Sequence, residues 1–289
     1  MNNQMPVELT IAPRARAALK GQWPTAMPMG FLTGILYTLL QVIANVNMTP
    51  VLEKMTVLME QGYPVEYVLQ WVQENLIGIL WPIGALWLAT EILTPALSMG
   101  MHAYSLKLLR GEAGAFGDLF SRMNIFLKSL GLTIMVNLRV FLWMILGIAA
   151  YMGVVFLFSM AGLTDMILAA IPVLATLAVL PGVMAMFRYM MADFAMAEQP
   201  KMGINAAIRL SKQITKKRKM RLLSLLIGWV LISQLGGSLL QMFLGSILGM
   251  ALGMLLSLAC SVYMEMLKAS YYLTYRELEQ RSGQHEHQS

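Results

Sequence analysis

The chain is 289 residues long, 58% of them hydrophobic and only 12% charged, with a net charge of +6. Soluble domains carry about 25% charged residues, so this composition excludes an ordinary soluble fold, and no polar stretch is long enough to bury a core of its own. In so apolar a chain the positive balance points to anionic membrane headgroups rather than to nucleic acid.

Six apolar stretches, at about residues 25–46, 76–100, 129–159, 166–187, 222–240 and 242–266, approach or exceed the roughly 20 residues a helix needs to cross hydrocarbon. The expected fold is all-α: a polytopic membrane protein in which the whole chain is one integral membrane domain of six transmembrane helices, with amphipathic interfacial helices on the cytoplasmic side. All but two of the 21 Lys and Arg residues fall before the first stretch, between the second and third, between the fourth and fifth, or after the sixth. Positive residues near span ends are retained in the cytoplasm, which puts both termini there.

The N-terminal segment Ile11 to Trp23 is basic and amphipathic. The apolar run that follows, Ala26 to Val46, exceeds the about 7–15 residues of an export-signal core, so a retained first span is expected. The first outer loop, Val51 to Gln73, is acidic with Glu53, Glu60, Glu66 and the adjoining Glu74, has Pro50 and Pro64 as helix punctuation, and reads as two short helices outside the membrane. It is either a solvated face or a surface that attracts cations.

Glu91 lies inside the second span and Arg139 inside the third, each about nine residues from the basic side, or some 13 Å deep. Charges at such depth are costly and generally pair or line a path. A Glu91–Arg139 ion pair, with Asn137 nearby to add a hydrogen bond, is therefore expected, as a staple between two helices or as a solute site. Phe116 to Leu130, just before the third span, is a second basic amphipathic segment.

Gly162, Thr164 and Asp165 supply turn residues between the third and fourth spans. Pro181 and Gly182 interrupt the fourth span as a kink or a hinge. The third amphipathic segment, Ile204 to Lys219, puts Ile204, Ala207, Ile208, Leu210 and Ile214 on one face and basic residues on the other. With the two earlier segments it suggests a weak threefold unit of interfacial helix, span out and span back. Lys216, Lys217, Arg218, Lys219 and Arg221 stand at headgroup level before the fifth span, as a topology determinant or an anionic-lipid contact.

Gly236, Gly237 and Ser238 are the expected turn between the last two spans. Gly245, Gly249, Gly253, Ser257 and Ser261 recur every fourth residue along the sixth, making one face flat enough for close approach of the fifth span or of a second chain. The chain has three histidines and one cysteine. His102, His285, His287 and Cys260 assemble no catalytic or metal-binding pattern, so no enzyme activity, metal or cofactor is expected.

Four segments, RARAALKGQW from Arg14, LKLLRGEAGAFGDLF from Leu106, LPGVMAMFRYMMADFAMAEQP from Leu180 and AAIRLSKQITKKRKMRLLSLLIGW from Ala206, resemble in order and spacing a group of bacterial multi-pass proteins filed as domain of unknown function 975. The chain departs from that group at GGSLLQMFLGSILGM, where the group tends to carry a Pro-Tyr element. The resemblance implies a six-helix protein of a bacterial cytoplasmic membrane and assigns no activity. The residues themselves point to a non-enzymatic accessory or envelope-organising component that binds membrane lipids, including anionic headgroups, or another membrane protein or a second copy of itself. The alternative is a small transporter built on Glu91 and Arg139.

Overall fold

A computed structural model describes residues 8–161, 164–216 and 218–286, and among these every regular element is helical. In chain order the elements are α1 (Glu8–Leu19), α2 (Trp23–Glu60), α3 (Val65–Leu109), two 3-10 turns (Phe116–Phe120 and Met123–Ile125), α4 (Phe126–Met160), α5 (Thr164–Tyr189), α6 (Ala192–Glu198), α7 (Ile204–Thr215), α8 (Lys219–Leu244) and α9 (Ser246–Glu286). Five helical stretches, Leu80–Leu109, Phe116–Phe158, Thr176–Glu198, Met220–Leu244 and Ile247–Gln280, are long and apolar enough to cross a membrane. A sixth is added if Trp23–Ile35 and Thr38–Glu60, which meet at 40°, count as one span.

The long helices form three hairpins, α2 with α3, α4 with α5 and α8 with α9. Each follows a shorter helical segment, which is α1, the 3-10 pair or α7. The segment before α4 is thus two tight turns where the pattern suggests one amphipathic helix. Gly100 of α3 explains the tightness: a Cβ there would lie 1.7 Å from the Leu119 carbonyl oxygen, so the first 3-10 turn rests directly on the α3 backbone.

The two short helices expected between the first two spans are not separate elements but the continuations of α2 and α3. Pro50 lies within α2 and Pro64 caps α3, where a residue without an N–H leaves no donor unsatisfied. Gly62 makes the reversal at φ +78°, and the Tyr63 amide donates back to the Leu58 carbonyl at 3.1 Å. The turn between α8 and α9 also differs from the expected one. Gly236, Gly237 and Ser238 lie inside α8, and the turn falls at Gly245, φ +80°. The glycine pair serves close packing: a Cβ on Gly236 would meet Leu256 at 2.6 Å. Of the expected turn between α4 and α5, residues 162 and 163 lie outside the described residues, and Thr164 already opens α5.

Pro181 and Gly182 lie within an unbroken α5. Gly182 packs on Met144, and Gly147 on α4 opposes the Ala178 carbonyl so closely that an added Cβ would sit 1.9 Å from the oxygen.

The core lies at the end of the bundle that holds the basic residues. Ile11, Ala15 and Leu19 of α1, Met99, Tyr104 and Leu106 of α3, Ala192, Phe194 and Met196 of α6, Ile208 and Ile214 of α7, and Met266, Tyr271 and Tyr272 of α9 are all buried. The apolar face of α7 is thus covered by the bundle itself. Toward the hairpin tips the long helices expose large apolar side chains, with Ile77 at 82%, Phe243 at 76% and Ile247 at 82% exposure, surface of the kind that lipid chains cover.

Candidate functional site

Two polar stripes face each other where α3 and α4 meet. Glu91, Thr94, Ser98 and His102 recur every three or four residues on α3, and Ser129, Thr133 and Asn137 every four on α4, so each set occupies one side of its helix. They line one cavity of about 400 Å³ together with Thr90, Asp193 of α6 and Glu265 and Lys268 of α9. A smaller cavity of about 70 Å³ shares Ser98, His102 and Glu265 and adds Gly30, Thr33 and Ser261.

At the end nearer the basic residues, Glu265 holds two partners. His102 Nδ1 contacts one carboxylate oxygen, and the Lys268 ammonium reaches the other at 2.6 Å. The His102 ring packs on Phe194 with centroids 4.5 Å apart, which fixes it against α6. Asp193 also lines this end, yet it has no hydrogen-bond or ion-pair partner among the described residues. An interior carboxylate without a partner is costly unless water or a cation meets it. Lys268 pairs with Glu265 and, with His102, also lies close enough to act on Asp193, so Glu91 is the carboxylate of the cavity that stands apart from both.

Glu91 and Arg139 receive different partners, which corrects the expected ion pair. The Asn137 side-chain amide donates to Glu91 Oε2 at 3.4 Å, and Arg139 Nη2 donates to Asn205 Oδ1 of α7 at 3.2 Å. Helical geometry is the reason. Residues two apart on a helix are about 200° apart around its axis, so when Asn137 faces α3, Arg139 must face elsewhere. The Arg139 Nη1 atom is buried with no hydrogen-bond partner. Ser129 supplies a further bridge, its hydroxyl donating to the Pro95 carbonyl at 2.9 Å.

The four-residue stripe on the last span divides by function. Gly245 is the turn, with nothing within 4 Å of an added Cβ, whereas Gly249 and Gly253 pack on α8 of the same chain, where added Cβ atoms would lie 2.4 Å from the Leu240 oxygen and 3.3 Å from Gly237 Cα. Ser257 is exposed, and Ser261 lines the smaller polar cavity.

In the basic run, Lys216 and Arg221 are exposed, Lys219 opens α8 and Lys217 lies outside the described residues. Arg218 turns inward, its guanidinium 4.4 Å from the Tyr275 ring centroid, and its carbonyl accepts the Tyr271 hydroxyl at 3.3 Å. A second ionic cluster pins α9. Glu198 at the end of α6 meets Arg110 and Arg276 and accepts the Tyr272 hydroxyl at 2.7 Å. No group of three or more His, Cys, Asp or Glu side chains among the described residues is arranged to hold a metal ion.

The sequence reading named Glu91 and Asn137 but missed Thr94, Ser98, His102, Ser129 and Thr133. Their three- and four-residue spacing was the available signal. Asp193, Glu265 and Lys268 carry no such signal, since only the packing of α6 and α9 against α3 brings them to the cavity. No curated protein and no solved structure matches the chain. Residues 6–279 match the model of the family described as Protein of unknown function (DUF975), and this all-helical chain, with helices long and apolar enough to cross a membrane, belongs to that family.

Proposed function

We propose that the protein is a small non-enzymatic transporter of a bacterial cytoplasmic membrane, with its basic end in the cytoplasm, and that it binds a positively charged polar solute in the cavity between α3, α4, α6 and α9. The observation that carries this reading is the pair of carboxylates, Asp193 and Glu91, that line a polar cavity and make no ion pair among the described residues. Ionisable groups at membrane depth are expensive and commonly mark solute or ion paths, and about 400 Å³ is the size of an ordinary small-molecule site. The site differs from the Glu91–Arg139 pair in excluding Arg139, so it is more acidic than that pair implies.

Thermal unfolding of the purified protein tests this reading, because a ligand that binds only the folded form stabilises it. Small ammonium compounds should raise the midpoint by several degrees while carboxylates and sulfonates at equal ionic strength do not, and Asp193→Asn should remove the rise. Equal responses to cations and anions would count against the proposal.

A second reading, an accessory component that binds anionic lipid or another membrane protein, is favoured by Arg122. This side chain has no hydrogen-bond or ion-pair partner among the described residues and its Nε atom is buried, which leaves a guanidinium available to a phosphate. Retention of phosphatidylglycerol through purification, reduced in Arg122→Gln, would support it. Unchanged lipid content in the variant would count against it.

A further inference from the structure

We infer that the solute is a linear polyamine, an unbranched chain with an ammonium group near each end, held between Asp193 and Glu91. This rests on the reading of the cavity as a solute site and adds what the solute is.

Among the ionised groups lining the cavity, Glu265 is met by Lys268 at 2.6 Å and by His102, so neither oxygen is free for a ligand. Among the described residues Asp193 makes no hydrogen bond or ion pair, although Lys268 and His102 lie close enough to act on it, and Glu91 meets only the neutral Asn137 amide at 3.4 Å. The two free carboxylates stand at opposite ends. Asp193 shares its end with His102, and Glu91 precedes His102 by eleven positions on one face of α3, a separation of about 16 Å at the rise of an α-helix. A single ammonium ion can neutralise one carboxylate and must leave the other bare.

The shape agrees. A volume of about 400 Å³ extending over about 16 Å has room for one extended unbranched chain. Between the ends the wall is supplied by Thr94, Ser98, Ser129 and Thr133. These hydroxyls can accept hydrogen bonds from an internal secondary ammonium, and none of them adds charge. Lys268 sits beside Asp193 and repels a cation that enters without a second anchor, which favours the ligand that also reaches Glu91.

The test uses the full-length protein, purified, with Cys260→Ala and Ser98→Cys, so that the one thiol lies on the cavity wall. A water-soluble thiol reagent is applied alone and in the presence of spermidine, 1,4-diaminobutane or butylamine. We expect reaction in the absence of amine and protection by spermidine at a concentration about tenfold lower than butylamine needs, the difference one additional charged hydrogen bond makes. Protection by 1,4-diaminobutane, which is too short to span the carboxylates, should resemble that by butylamine. Glu91→Gln should collapse the advantage of spermidine to about twofold.

If the thiol reacts but the amines protect equally, or if Glu91→Gln leaves the advantage intact, the two-ended ligand is wrong while the cavity as a solute site survives. If the thiol does not react at all, the solute site itself is wrong and this inference falls with it.

Discussion

Asn137 on α4 places its amide 3.4 Å from the carboxylate of Glu91 on α3, and in doing so turns the arginine two positions later out of the site. This one register choice decides the charge of the cavity. With Arg139 facing α3, Glu91 would be neutralised and the cavity would read as a structural staple; with Asn137 facing α3, the carboxylate stays available. The acidic character of the site therefore follows from which residue of α4 faces α3.

Arg139→Gln should accordingly leave the stabilisation by ammonium compounds unchanged, because Arg139 reaches Asn205 on α7 and not the cavity. Glu91→Gln should reduce that stabilisation measurably. Thermal midpoints with and without ligand, taken on both variants, separate the two roles, and a larger loss in Arg139→Gln would contradict the assignment.

Glu265→Gln should destabilise the protein by roughly 2–4 kcal/mol, since it leaves Lys268 and His102 without their shared anion. Lys268→Met should cost less, because Glu265 keeps its contact with His102. The comparison is read from unfolding midpoints in detergent, and the reverse ranking would show that Lys268 is not held mainly by Glu265.

The ionic cluster at Glu198 predicts a local effect. Glu198→Gln removes the anion shared by Arg110 and Arg276 and weakens the bond from Tyr272. Limited proteolysis should then cut the C-terminal part of α9 several times faster while the hairpins remain protected. Uniform acceleration at every site would indicate global rather than local loosening.

Gly249→Val should cost about 1–3 kcal/mol by overpacking α8 against α9, because its Cβ would lie 2.4 Å from a backbone oxygen. Gly228→Val provides the control, with nothing within 4 Å of the added atom. If both variants unfold at the same temperature, the close contact between α8 and α9 is not what Gly249 provides.

Much of the architecture was legible in the sequence because long apolar runs have few alternatives to helices. The position of the last turn was not. Gly236, Gly237 and Ser238 suit a turn and suit close helix contact equally well, and only the identity of the facing residue, Leu256, settles the choice. The two short helices expected in the acidic segment are continuations of α2 and α3 for a related reason, since Pro50 reads as punctuation but is tolerated within α2. For the site, the stripe from Glu91 to His102 was readable as helical periodicity. Asp193 was not, because a short helix buried between α3 and α7 announces neither its depth nor its neighbours.

The most direct test of the central claim, that the cavity is a water-accessible site for cations, is the rate at which Ser98→Cys in a Cys260→Ala background reacts with two methanethiosulfonates of similar size, one carrying a trimethylammonium and the other a sulfonate. Excess negative charge from Asp193 and Glu91 predicts a cationic rate about tenfold higher after correction for intrinsic reactivity, with the preference lost in the Asp193→Asn, Glu91→Gln double variant. Equal rates for the two reagents, or no reaction with either, would contradict it.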